Sequence, residues 1–246
     1  MFLRSEFSYS RGDFYPLTGL TGNLWQLPVF GVDVGLGPIA DLQLAGGPYD
    51  RLSITDRAAA PFSDIVHVTG DTAHDVDDLT IGTKIRLVPE GRELPAIGFR
   101  FWVRLPNAKR QSGIGQDTTD FSASLLSGKT MGPVRVLANG GLAIMSEATN
   151  ELKQNDVLTY GAAASLRIAP RAELVSEVNG RWSTRNGVAP IGTESRGRAQ
   201  VGGAYTRGRF RYDAAVFFGL TPIDPSVGVS AGVSVLFSAF SLPSHP

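Results

Sequence analysis

The chain has 246 residues, with 23 basic and 23 acidic side chains and a formal net charge of zero. That balance argues against a basic face built for nucleic-acid phosphates, and the absence of cysteine excludes a disulfide framework or a Cys-ligated metal. Twenty-nine glycines point to β structure, and no run of 18 apolar residues is present to form a spanning helix.

The amino end, MFLRSEFSYSRG, has neither an apolar h-region nor a cleavage site, so a destination outside the cytoplasm supposes a leader already removed. Residues 2–10 and 24–34 read as strands, and 38–46 as a third. Residues 47–76, rich in Pro, Asp and Ala, read as a long loop or irregular segment with room for one more strand.

Period-two alternation then dominates. In DLTIGTKIRLV, Leu79, Ile81, Ile85 and Leu87 oppose Lys84 and Arg86; in GFRFWVRL, Phe99, Phe101, Val103 and Leu105 oppose Arg100, Trp102 and Arg104. Phe121, Ala123 and Leu125 oppose Asp120, Ser122 and Ser124, and Leu142 and Ile144 share a face opposite Arg135 and Asn139. The pattern continues with Leu158, Tyr160, Leu166 and Ile168 against Arg167, and with Leu174, Val178 and Trp182 against Glu173, Glu177 and Arg181. Phe210, Tyr212, Val216 and Phe218 oppose Arg211 and Asp213, and the valines of 227–235 alternate with Gly and Ser.

Strands at 77–88, 94–104, 117–127, 133–146, 156–168, 171–183, 197–206, 209–220 and 227–237 leave gaps of 5, 12, 5, 9, 2, 13, 2 and 6 residues. Short turns alternate with longer loops, as in outer-membrane barrels with short periplasmic turns and long outer loops. The fold class expected is all-β: a single closed antiparallel up-and-down transmembrane barrel of about twelve strands. It spans residues 1–246 as one domain, with 238–246 as a C-terminal tail.

In a soluble sandwich the apolar faces would point inward, whereas in a membrane barrel they meet lipid and the charges line the lumen. The barrel is favoured because the polar faces hold little large apolar bulk and the apolar faces carry no Lys or Arg at mid-strand. Trp182, Tyr205, Phe210 and Tyr212 also fall near strand ends, where interfacial girdles lie. A soluble lipid-binding barrel or sandwich, and a structural outer-membrane barrel without transport, stay open as alternatives.

The segments DLTIGTKIRL, RLPNAKRQSGIGQDTTDFSASLLSGK and VLANGGLAI, with Leu105-Pro106, Gly113 to Gly115, Thr119-Asp120-Phe121 and Lys129, resemble one family over roughly 76–240. It is the outer-membrane barrel family named for the meta-pathway of phenol degradation. The resemblance implies a Gram-negative outer-membrane transporter of small aromatic or hydrophobic compounds, and no catalytic residue. Ser230, Gly232, Val235 and Phe237 match the terminal strand signal read by the barrel-assembly machinery, although here the chain continues through SAFSLPSHP.

The expected lumen residues are Lys84, Arg86, Arg100, Arg104, Asp120, Arg135, Arg167, Glu173, Glu177, Arg181, Arg198, Arg211 and Asp213. They form either an ion ladder that sets selectivity or cross-strand pairs that fill a narrow interior. A net basic lumen would favour anionic solutes such as aromatic carboxylates. Lys109 and Arg110 lie on a loop expected outside, where they would meet lipopolysaccharide phosphates, gate the mouth or simply be solvated. Asp71, His74, Asp75, Asp77 and Asp78 cluster, but their spacing is not that of a calcium loop and a hydrated acidic turn is the simpler reading. With His67, His74 and His245 all off the confident strands, no Ser-His nucleophile is expected. The reading assigns no cofactor, no metal and no nucleic-acid partner.

Overall fold

The computed structural model describes residues 1–150 and 153–238. Fourteen strands are present: β1 (Phe2–Tyr15), β2 (Leu20–Gly35), β3 (Ala40–Gly46), β4 (Asp50–Arg57), β5 (Thr72–Asp75), β6 (Thr80–Val88), β7 (Ala96–Arg104), β8 (Asp120–Met131), β9 (Val134–Ser146), β10 (Gln154–Ala169), β11 (Ala172–Ser183), β12 (Arg196–Arg207), β13 (Phe210–Gly219) and β14 (Val227–Leu236). Each pairs antiparallel with its neighbours, and β1 pairs with both β2 and β14, which closes the sheet. Closure pairs both edges of every described strand except the short β5, which pairs with β4 alone.

The wall has twelve staves because two of them are broken. β2 pairs with β4 along its first half and β3 along its second, so β3 and β4 form one interrupted stave. β5 and β6 form the next, pairing with β4 and β3 respectively. Residues 47–76 are therefore not one irregular segment: they contain β4 and β5, and the loop is confined to 58–71. The break has a chemical cause. Gly46-Gly47 weakens the strand, and Pro48 has no N–H for the ladder. Pairing is bridged by Leu27 N–H to Tyr49 O (3.0 Å) and Asp77 N–H to Gly47 O (2.7 Å).

The connections sort by rim. One rim carries 36–39, 89–95, 132–133, 170–171 and 208–209; the other carries 16–19, 58–71, 105–119, 184–195, 220–226 and the connection after Ser146. Two-residue turns close the hairpins β8–β9, β10–β11 and β12–β13, and Gly208, at φ +63°, supplies a left-handed position that a side chain would resist. β1 and β2 extend further toward the long-loop rim than alternation implied, so their turn has only four residues, 16–19.

The side chains settle the opening ambiguity of the alternating pattern. Leu142 (58 % exposed), Val201 (54 %) and Trp182 (63 %) stand on the outer surface, together with Phe101, Leu125, Leu158, Phe210 and Phe218. Asp120 (3 % exposed), Ser122, Ser124, Ser230 and Ser234 are buried inside. A continuous outer belt of large apolar residues suits hydrocarbon rather than water. Tyr205 and Tyr212 face each other on that belt near the short-turn rim, while Trp182 lies near the opposite rim. Tyr160 covers Gly180 and Gly197 of the adjoining staves, where a side chain would collide with its hydroxyl.

Candidate functional site: the lumen and its mouth

Strand parity places all thirteen charged residues expected in the lumen on the inward face. Most border one of three adjoining cavities. The first, about 600 Å³, is edged by Lys84, Arg86 and Arg135, facing Asp41 and Glu177. The second, about 560 Å³, lies nearer the long-loop rim and has five arginines (100, 104, 181, 196 and 198) against Asp120, Glu177 and Asp224. The third, about 380 Å³, balances Arg4, Arg198 and Arg211 against Glu6, Glu177 and Asp213. Glu177 borders all three. Its carboxylate accepts from Asn179 Nδ2 (2.6 Å) and Gln200 Nε2 (2.9 Å), while Arg198 Nη2 donates to Gln200 Oε1 (3.1 Å).

Several of these charges pair. Arg211 Nη1 meets Glu173 Oε2 at 2.9 Å, and Arg167 stands opposite Glu173 in the β10–β11 register. Arg4 bridges Glu6 and Asp213, the latter at 3.2 Å, and Lys84 Nζ lies 3.0 Å from Asp41. The densest knot is at Arg104. Its guanidinium binds Asp120 (Nε at 3.1 Å), Asp78 (3.2 Å), Gln116 Oε1 (2.9 Å) and Thr118 Oγ1 (3.2 Å). Asp120 also accepts from Ser146 N–H (3.1 Å), and Asp78 from the N–H groups of Asn107 and Ala108. Both carboxylates are buried, so this network fixes the loop after β7 onto the barrel wall.

The acidic stretch 70–78 is thus not a hydrated turn. Asp78 anchors Arg104 and two backbone amides, Asp75 accepts from Lys109 N–H (2.7 Å), and Asp77 accepts from Asp78 N–H (2.8 Å). His74, expected off the strands, sits on β5. Among the described residues, no three His, Asp or Glu side chains are placed so that they could hold a metal ion together.

The inner face is also less polar than the pattern implied. Phe217 is buried inside, beneath the Arg198 guanidinium 3.4 Å from its ring centroid. Trp102, Met145 and Ala143 line the arginine-rich cavity. At the long-loop rim, Leu20, Leu24, Leu52 and Ala73 form a buried cluster against Val66, Val68 and Ile114 from two loops. Hydrogen bonds tie those loops across the mouth: Thr18 Oγ1 to Gly113 O (2.7 Å), His67 N–H to Gln111 O (2.9 Å) and Phe62 N–H to Leu17 O (2.9 Å). The mouth is narrowed by a small core of its own.

Arg110 is engaged in this loop layer, with its guanidinium on Gln116 O, Asp117 O and the Phe62 ring, while Lys109 borders an outer groove with Tyr49 and His74. Arg181, from the inner wall, donates to Glu194 O (2.9 Å) and Gly192 O (3.0 Å), holding another loop down. On β14, Ser230 and Gly232 face inward, Val235 faces outward, and Phe237 follows the strand; of the tail 238–246, all but Ser238 lies outside the described residues.

This architecture is shared with solved structures. The COG4313 outer membrane channel from Pseudomonas putida F1 is similar over 96 % of this chain and 94 % of its own, at 13 % identity and a TM-score of 0.68. The NanC porin is similar over 96 % of this chain and all of its own, at 6 % identity and a TM-score of 0.58. LpxR from Salmonella typhimurium reaches 0.51 at 11 % identity. At such identities the likeness is one of fold: a closed barrel of the outer-membrane type. No family model matches the chain and no curated relative matches it in sequence, so the resemblance to the phenol meta-pathway family has no support beyond the barrel itself.

Proposed function

We propose that the protein is an outer-membrane channel that passes small solutes through a charged lumen. The observation that carries this reading is the inversion of its surfaces. Large apolar side chains stand outside, while charged residues edge three adjoining cavities inside the closed wall. A barrel of twelve staves lies between eight, whose interior side chains fill, and sixteen, which leaves an open aqueous channel. The excess of arginine near the mouth favours anions over cations. The solved channel and the porin with this fold support the reading by architecture. On this reading the short-turn rim faces the periplasm, and the long loops, Lys109 and Arg110 face outward toward lipopolysaccharide. Ser230, Gly232, Val235 and Phe237 would serve the assembly machinery.

The apolar cluster at the mouth favours a second reading, a structural barrel that does not conduct. Planar-bilayer recording separates the two. Folded protein should give discrete current steps, with a reversal potential in a salt gradient that reports chloride preference. Silent bilayers would favour the structural barrel, and clear cation preference would contradict the charge argument.

A further inference from the structure

Within that channel reading, the arginine-rich cavity has the construction of a saturable site rather than a passive widening. We propose that it binds monocyclic aromatic carboxylates, with Arg100 and Arg198 taking the carboxylate and Trp102 and Met145 taking the ring.

The charge is unevenly distributed. Among the three cavities only this one has two arginines more than carboxylates, and its acids are already engaged. Asp120 serves Arg104 and a backbone amide; Asp224 accepts from Gly197 N–H (2.9 Å) and Thr221; Glu177 holds Asn179 and Gln200. Of the arginines, Arg104 is committed to Asp78 and Asp120, Arg181 to loop carbonyls, and Arg196 to Phe14 O (3.1 Å).

Arg100 and Arg198 differ. The Nε of each is buried with no hydrogen-bond partner. An unsatisfied buried donor is costly unless a ligand or water meets it. The guanidinium fork is also the group best suited to a planar carboxylate. Arg100 comes from β7, and Arg198 comes from β12, five staves away. Arg198 is held by stacking on Phe217 and by its bond to Gln200.

The rest of the wall supplies the ring contact. Trp102 follows Arg100 on the same inward face, and Met145 and Ala143 lie nearby on β9. An aromatic ring is held by offset or edge contact with an indole and by sulfur at its rim. A cavity of about 560 Å³ has the size of ordinary small-ligand sites. Chloride would use the arginines alone, and a neutral aromatic the apolar wall alone; only an aromatic acid uses both.

The test uses the whole barrel in planar bilayers, with chloride as the current carrier. Benzoate should reduce chloride conductance saturably, with an apparent Kd at least tenfold below those of acetate and of benzyl alcohol. The double variant R100Q/R198Q should weaken benzoate block tenfold or more while chloride still conducts. W102A should weaken benzoate and leave acetate unchanged. Equal block by benzoate and benzyl alcohol in the unmutated protein, or unchanged block in R100Q/R198Q, would overturn the proposal. The comparison of ligands on the unmutated barrel decides the matter even if the double variant does not fold. Absence of chloride current from folded barrel defeats the channel reading instead. Equilibrium dialysis of labelled benzoate against the same detergent-held protein then decides the binding site on its own, with saturable uptake supporting it and none refuting it.

Discussion

Replacing Val201 with arginine puts the lipid-facing claim at risk. Val201 sits mid-way along β12, is half exposed on the outer belt, and lies opposite Ser176 and Val216 on the flanking staves. If water bathed that face, an arginine there would change stability by no more than ~0.5 kcal/mol, as surface substitutions do. If hydrocarbon bathes it, the cost at the bilayer midplane is about 2–4 kcal/mol. That is a loss of roughly 30- to 700-fold in the folding constant. The matched control is Ala163→Lys, an inward position on β10 directly opposite Glu177, where a new cation gains a partner. Urea titration of protein folded into lipid vesicles, followed by tryptophan emission, gives both values. A cost for V201R of under about 1 kcal/mol, or no more than that of A163K, would place Val201 in water rather than hydrocarbon.

Further outcomes follow from the same geometry. Arg104→Leu should cost about 3–5 kcal/mol, because it leaves the buried carboxylates of Asp78 and Asp120 without their cation; a lowered temperature for the heat-induced gel shift measures it. Ile114→Asp should loosen the mouth cluster and raise single-channel conductance, and an unchanged current would show that the cluster does not limit flow. Gly180→Ala should destabilise by about 1–3 kcal/mol, since a methyl there meets Arg196 O and the Tyr160 hydroxyl. Glu90, on the loop after β6, accepts Thr130 N–H, and that bond holds its carboxyl below the usual range. Its contribution is therefore present above the ordinary carboxylate range and lost as pH falls through the lowered value. Glu90→Gln should flatten the acid side of the stability profile, and an unaltered profile would contradict this.

The staves from β6 onward were legible because most have one largely apolar face and one marked by charge, with small Gly and Ser taking the place of charge on β14, so period two is readable. Their direction was legible only from an argument about lipid, since alternation itself does not distinguish inside from outside. The broken staves were hidden: Gly46-Gly47-Pro48 reads as a terminator, and the ladder's resumption at Asp50 depends on partners in β2 and β5 that lie outside any local window. The inward apolar residues were hidden for a different reason. In the doublet Phe217-Phe218 parity with Arg211 and Asp213 puts Phe217 inside, but what makes a large apolar ring tolerable there, the Arg198 guanidinium over it, comes from the neighbouring strand. Leu24 and Leu52 lie inward under loops, where a mouth needs a dry core, and no strand-level pattern marks loop closure. The charged inner positions were readable by parity; that Asp78 and Asp120 converge on Arg104 required the fold.

The most direct test of the central claim is a spin-label scan of β13 in lipid vesicles, which the lack of native cysteine makes clean. Single cysteines at positions 211 to 218 should give oxygen collisions that peak at 212, 214, 216 and 218, and collisions with a water-soluble nickel complex that peak at 211, 213 and 215. Opposite phases would contradict the account, as would the absence of any alternation.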